Sequence, residues 1–214
     1  MSHMSIEMNS LLTRSISLDR ELNSLFDLSQ IEQGGRHTSS RIMCGVSFEH
    51  AESVKLLTVS GNFTSAVCLL RLQYETLVRA IWLLYAASES EVERLREKLT
   101  TESVEKAEKL PMLSAMLIAL EGKGPPEVGA QLLEFKEYSW RPLSSYVHGG
   151  IHAMSRHSKG YPEQLLIQAI KASNGLSLMA GMLVVVLSGQ PGQSGRLPQI
   201  QFAHMDCLPP FRRA

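Results

Sequence analysis

The chain has 214 residues, 44% of them hydrophobic and 20% charged, a globular composition that excludes a disordered or fibrous protein and suits one sizeable core. Lys+Arg and Asp+Glu are both 21, so net charge alone points to no nucleic-acid or membrane partner. Its distribution is informative: residues 1–137 hold 14 basic and 19 acidic side chains, whereas residues 138–214 hold seven basic and only two acidic, Glu163 and Asp206. The last third is therefore where an anion is attracted.

The periodicity is helical in almost every segment and no pair of strands stands out, which predicts an all-α helical bundle of about six or seven helices. The initial "MSHM" reads as a tag remnant, and the single domain is expected to span 4–190, beginning at Met4. A first helix is predicted over Ser5 to Gln30, with Leu11, Leu18, Leu22 and Leu25 on one face and "QGGRH" ending it. The second covers Ser39 to Val59, and "SGN" follows it, placing Asn62 as N-cap of the third.

That third helix, Phe63 to Ala87, sets Ala66, Leu70, Leu77, Ile81 and Leu84 close to one line, with Val67, Val78, Leu72, Leu83 and Trp82 on its other sides. A helix apolar nearly all round is central. Arg71, Glu75 and Arg79, at i, i+4 and i+8, form a charged row in its flank. Such a row either stabilises the helix by itself or, if buried, has a partner or a task.

Glu89 to Lys109 is charge-dense and predicts a solvated helix and connection. After the short helix of "LPMLSAMLIALEG", "KGPPE" breaks the chain and another helix starts near Pro126 or Glu127. Pro142 is expected to begin a separate late helix with Arg141 just outside it, because proline disfavours helical geometry at the preceding residue and removes a donor. A long helix follows from Pro162 to Leu187; its apolar run "GLSLMAGMLVVVLSG" falls short of the roughly 20 residues a membrane span needs and reads as buried core. Residues 191–214, with two adjacent prolines and no period, are expected to form an extended C-terminal arm.

Cys44, Cys68 and Cys207 are far apart and lack CxxC spacing, so no disulfide framework or zinc ribbon is indicated, and a cytoplasmic location is expected. No cofactor is expected: the chain has neither a P-loop nor GxGxxG.

The segment "YSWRPLSSYVHGGIHAMSRH", Tyr138 to His157, concentrates the chemistry. Arg141 and His148 are seven residues apart; on one helix they share a face, about 10.5 Å apart along the axis. Arginine offers fixed donors to a phosphate and histidine moves a proton near neutral pH, so the pair suits metal-free handling of a phosphodiester. Ser144 and Ser145 lie within a turn of them and can donate to the same anion. Arg71, Arg79, His152 and Arg156 are candidates for further phosphate or RNA contacts. His148 with His152 has metal-clamp spacing, but "GGI" between them and the lack of a nearby Cys, Asp or Glu argue against a metal. Ser145 with His148 lacks the nucleophile elbow and orienting acid of a hydrolase. The structural alternative is that Gly149-Gly150 marks close helix packing and His148 is a satisfied core histidine.

On these residues the sequence resembles the HEPN superfamily of small helical-bundle proteins, whose RNase members carry an R-x4-6-H motif on a late helix. "Arg141-PLSSYV-His148" has six intervening residues, and "RLQYE" (Arg71 to Glu75) is similar to the Arg and Glu that many members place on an earlier core helix. The resemblance implies a homodimer whose motifs meet in a shared cleft, metal-independent RNA cleavage through the ribose 2′-hydroxyl, and a toxin or antiviral-defence setting with a cognate antitoxin or neutralising protein. Arg141 would grip phosphate and His148 act as acid/base or as leaving-group stabiliser, with Ser144, Ser145 and Glu75 in support and Glu75 orienting Arg141 or His148. Active members place a polar residue after the arginine, where this chain has Pro142. The alternative is a non-catalytic relative that binds RNA or a nucleotide, or a protein-interaction module. No membrane partner is expected.

Overall fold

The computed structural model describes residues 5–29, 34–190, 193 and 195–210. Ten α-helices are present among them: α1 (Ile6–Asn23), α2 (Gly35–Val59), α3 (Phe63–Tyr85), α4 (Glu89–Arg96), α5 (Thr101–Ala107), α6 (Leu113–Leu120), α7 (Pro126–Val147), α8 (Ile151–Lys159), α9 (Glu163–Ser188) and α10 (Arg196–Ala203). The described residues form no strand, so the all-α expectation holds, but the helices outnumber the six or seven expected. The excess comes from short pieces. Ser88 and Thr100 each close a capping box, so the charge-dense segment divides into α4 and α5, and Gly149-Gly150 separates α7 from α8.

The core follows the apolar rows. Leu11, Leu18, Leu22 and Leu25 are all buried, although α1 ends at Asn23 and Leu25 lies in a 3-10 turn, Ser24–Asp27. Gln30, the expected end of that helix, lies outside the described residues, as does the domain start at Met4. Helix α3 is central: Ala66, Leu70, Leu77 and Ile81 are buried, as are Val67, Val78, Trp82 and Leu83 from its other sides. It packs against α2, α6, α7 and α9. Asn62 stands at its N-cap position without a capping side-chain bond.

Helix α9 is the one helix among the described residues long and apolar enough to cross a membrane by length and composition. It packs against α1, α2 and α3, and Ile170, Ala180 and Val184 are fully buried. A polar seam crosses this core. Gln73 donates to the Ser173 carbonyl (2.9 Å) and Ser177 Oγ (3.2 Å) and accepts from Ser173 Oγ (2.7 Å), so the buried amide has the partners it needs.

Two expectations are corrected. Pro142 does not start a helix: α7 runs unbroken from Pro126 to Val147 with Pro142 inside it. The contacts of α7 with α3 hold both sides of the proline in one helix, overriding the local preference for a break. The C-terminal arm is not extended either. It forms α10 and a 3-10 turn, Met205–Cys207, and buries Leu197, Ile200, Cys207 and Leu208. Polar bonds from α1 and the turn after it fix this segment: Arg14 with Asp206 (2.9 Å), Glu21 with His204 Nε2 (2.9 Å) and Ser24 with Arg196 (2.6 Å). Its residues 211–214 lie outside the described residues.

Candidate functional site

The site is built where α3 crosses the C-terminal half of α7. Arg71 Nε donates to Glu75 Oε1 at 2.7 Å across one helical turn, and its guanidinium carbon lies 4.2 Å from the centroid of the Trp140 ring. The same guanidinium meets His148 Nε2 at 3.3 Å. An arginine N–H can only donate, so in this contact Nε2 accepts and a neutral imidazole carries its proton on Nδ1. Arg71 is thus set by a carboxylate and an indole face and aimed at the motif histidine.

The indole is fixed in turn by an aromatic stack. Tyr74, fully buried, stacks on Phe135 at 4.5 Å, lies edge-on to Trp140 at 6.4 Å, and donates to the Leu132 carbonyl at 2.7 Å. Burial pushes the Tyr74 phenol well above its ordinary value, so it remains a neutral donor. Sequence reasoning passed over Trp140 and Tyr74. Both were flagged by position, Trp140 immediately before Arg141 and Tyr74 inside "RLQYE".

Because α7 continues through Pro142, Arg141 lies within the helix, and His148 caps its end. The two share a face about 20° apart in helical phase. Arg141 is exposed and makes no ion pair or hydrogen bond among the described residues. Glu75 reaches His148 only through Arg71; the expected direct orientation of Arg141 or His148 by Glu75 is not present. Arg79, a further turn along α3, is half-buried; burial lowers its pKa, against the attraction of Glu75.

The two serines have structural tasks. Ser144 Oγ donates to the Trp140 carbonyl at 2.7 Å, and Ser145 Oγ accepts from the His152 backbone N–H at 3.1 Å. The glycine pair makes this junction: Gly149 has φ +64, and a Cβ on Gly150 would stand 2.6 Å from Ser145 Oγ. His152 consequently lies on α8, a separate helix from His148, and the two do not form an i, i+4 pair on one helix. Among the described residues, no three His, Cys, Asp or Glu side chains gather as a metal shell. His152 is exposed, its ring 6.0 Å from that of Tyr146, and Arg156 is half-buried beside Tyr146. A groove of about 520 Å³ between α7, α9 and the C-terminal segment is lined by Phe135 of the aromatic stack but by none of the arginines, histidines or serines named above.

The model of a family of unknown function, DUF6988, matches residues 44–210. The chain belongs to this family. The DUF6988 span covers α3, α7 and α8, hence every residue of the candidate site. No curated protein and no solved structure matches the chain.

Proposed function

We propose that this DUF6988 protein is a HEPN-like, RNA-directed protein that cleaves phosphodiesters without a metal. The observation that carries the reading is the contact of Arg71 with His148, with Arg71 held by Glu75 and Trp140. A guanidinium fixed before the ligand arrives stabilises phosphoryl charge without reorganisation, and the neutral imidazole takes a proton at Nε2 once a phosphate oxygen replaces that nitrogen as the partner of Arg71. In this mechanism the 2′-oxygen attacks the neighbouring phosphorus as His148 removes its proton. The P–O5′ bond breaks, the leaving 5′-oxygen takes a proton from solvent water, and a 2′,3′-cyclic phosphate remains. Arg141, exposed on the same face of α7, adds a second cation. As the resemblance implies, a homodimer would bring two such motifs to one cleft, and a neutralising partner would restrain them.

A second reading, RNA or nucleotide binding without cleavage, is favoured by two features. The hydroxyls of Ser144 and Ser145 are engaged by the backbone, and His148 Nε2 is engaged by Arg71. Incubating wild type, His148→Ala and Arg71→Ala with total RNA or tRNA in EDTA separates the readings. Cleavage by wild type and loss in both variants supports the nuclease; RNA retained by wild type but left intact supports the binding module. No cleavage and no binding by any of the three rejects both.

A further inference from the structure

A row of rings connects α3, α7 and α8 at one end of the bundle. Phe63, the first residue of α3, lies 5.4 Å from Tyr161, centroid to centroid, and Tyr161 lies 6.3 Å from Tyr146 near the end of α7. Tyr146 in turn lies 6.0 Å from His152 on α8, the two rings tilted by 48°. All three spacings are those of attractive aromatic pairs. The inner part of the row is fixed: Tyr146 is buried, and the Tyr161 hydroxyl is 2.7 Å from Thr64 Oγ1. His152 is the exposed end of the row.

The backbone that carries this ring is held as well. Ser145 Oγ accepts the His152 N–H at 3.1 Å and the Ser145 carbonyl accepts the Gly150 N–H at 2.7 Å, which fixes how α8 leaves α7. His152 follows His148 by four residues, a path of at most about 14 Å, shortened by the positive-φ turn at Gly149. An exposed imidazole braced by a buried tyrosine therefore stands beside the histidine whose Nε2 meets Arg71. Its own side chain makes no hydrogen bond or ion pair among the described residues. A phosphate contact needs only a donor on a flexible arm, whereas a nucleobase needs a ring held in place.

We propose that His152 is a base-stacking residue: it receives the nucleobase of a nucleotide flanking the phosphate held at Arg71, so that the site takes unpaired, single-stranded RNA, whose bases are free to leave the stack. This rests on the RNA reading above and names the substrate feature that reading leaves open. His152 touches the base; Tyr146 and Ser145 are positioning residues, one behind the ring and one at its backbone.

Fluorescence anisotropy tests it with an end-labelled 2′-O-methyl single strand, whose blocked 2′-oxygen prevents cleavage, and with a strand of the same length that carries no bases, in wild type, His152→Ala and His152→Tyr. Loss of one stacked base weakens binding about tenfold. Wild type and His152→Tyr, which keeps a ring, are expected to prefer the base-bearing strand by that factor, and His152→Ala to lose the preference. Equal affinity of all three proteins for the abasic strand is expected, because the phosphate grip is unchanged. Wild-type preference retained in His152→Ala, equal weakening for both strands, or a wild type that binds a blunt duplex as tightly as the single strand overturns the stacking residue while the RNA reading stands. A wild-type protein that binds neither strand removes both.

Discussion

Replacing Pro142 with alanine tests how the site is held. Proline inside a helix lacks the N–H that would bond the carbonyl four residues back, that of Tyr138, and sets its ring against that carbonyl; relative to alanine this disfavours the helix by about 3 kcal/mol. Pro142 lies in the last two turns of α7, where fewer hydrogen bonds depend on a regular ladder than at mid-helix, so the full difference is an upper bound. The expected gain for Pro142→Ala is about 1–3 kcal/mol, or roughly 3–10 °C in melting temperature for a chain of this size. Calorimetry and urea denaturation with an unchanged m-value would measure it. The His148 contact with Arg71 lies beyond the proline, so a regular ladder through residue 142 shifts His148 relative to Arg71. RNA binding should then weaken as the protein becomes more stable, the usual exchange at a site kept locally unfavourable. An unchanged or lower melting temperature would refute the argument, because the last turns of α7 would then owe nothing to helix propensity.

Lys55 is buried and bonds Asp19 at 2.9 Å, tying α2 to α1; Lys55→Met should lose about 3–5 kcal/mol in urea denaturation, and Lys55→Met with Asp19→Leu should recover most of it, because the single change alone leaves a buried charge unpaired. Acid titration of stability should separate two aspartates. Burial outweighs Lys55 and raises the Asp19 pKa, so its contribution is full below the unfolded value near about 3.9 and is lost as pH rises through the folded value. Arg14 lowers the pKa of Asp206, so that contribution is present above the unfolded value and lost as pH falls through the folded one, and small because the pair is exposed. Asp19→Asn and Asp206→Asn should therefore change the slope of the acid limb in opposite directions. In alkylation followed by mass spectrometry, Cys68 should label first, since burial pushes the thiols of Cys44 up to about 12 and Cys207 up to about 11; equal labelling would mean that the core opens locally.

The parts of this fold legible in the sequence are those in which one helix carries its own pattern. The leucines of α1 and the row Ala66, Leu70, Leu77 and Ile81 of α3 were readable because burial follows helical phase within a single element. The C-terminal segment was not, since its anchors are supplied by Arg14, Glu21 and Ser24 from the other end of the chain, and no window of neighbouring residues contains them. Pro142 misled for a related reason: the rule that proline starts a helix is local, whereas α7 is held against α3 on both sides of it.

The site divides in the same way. Spacing placed Glu75 four residues from Arg71 and four from Arg79, and nothing in that symmetry chooses between them. The choice is made from outside α3. Trp140, fixed by Tyr74 and Phe135, offers its ring to Arg71, and His148 at the end of α7 offers a nitrogen to the same guanidinium. Arg71 is thereby committed to the α7 side while Arg79 remains half-buried two turns further on, its pKa lowered by burial. The sequence motif named Arg141 as the phosphate grip, but Arg141 is exposed on a helix face with no side-chain partner among the described residues to orient it. Preorganisation is what separates a catalytic cation from a surface one. On the proposed nuclease reading, that criterion gives Arg71, rather than Arg141, the larger share of transition-state charge, and alanine at 71 should lower cleavage of RNA in EDTA more than alanine at 141.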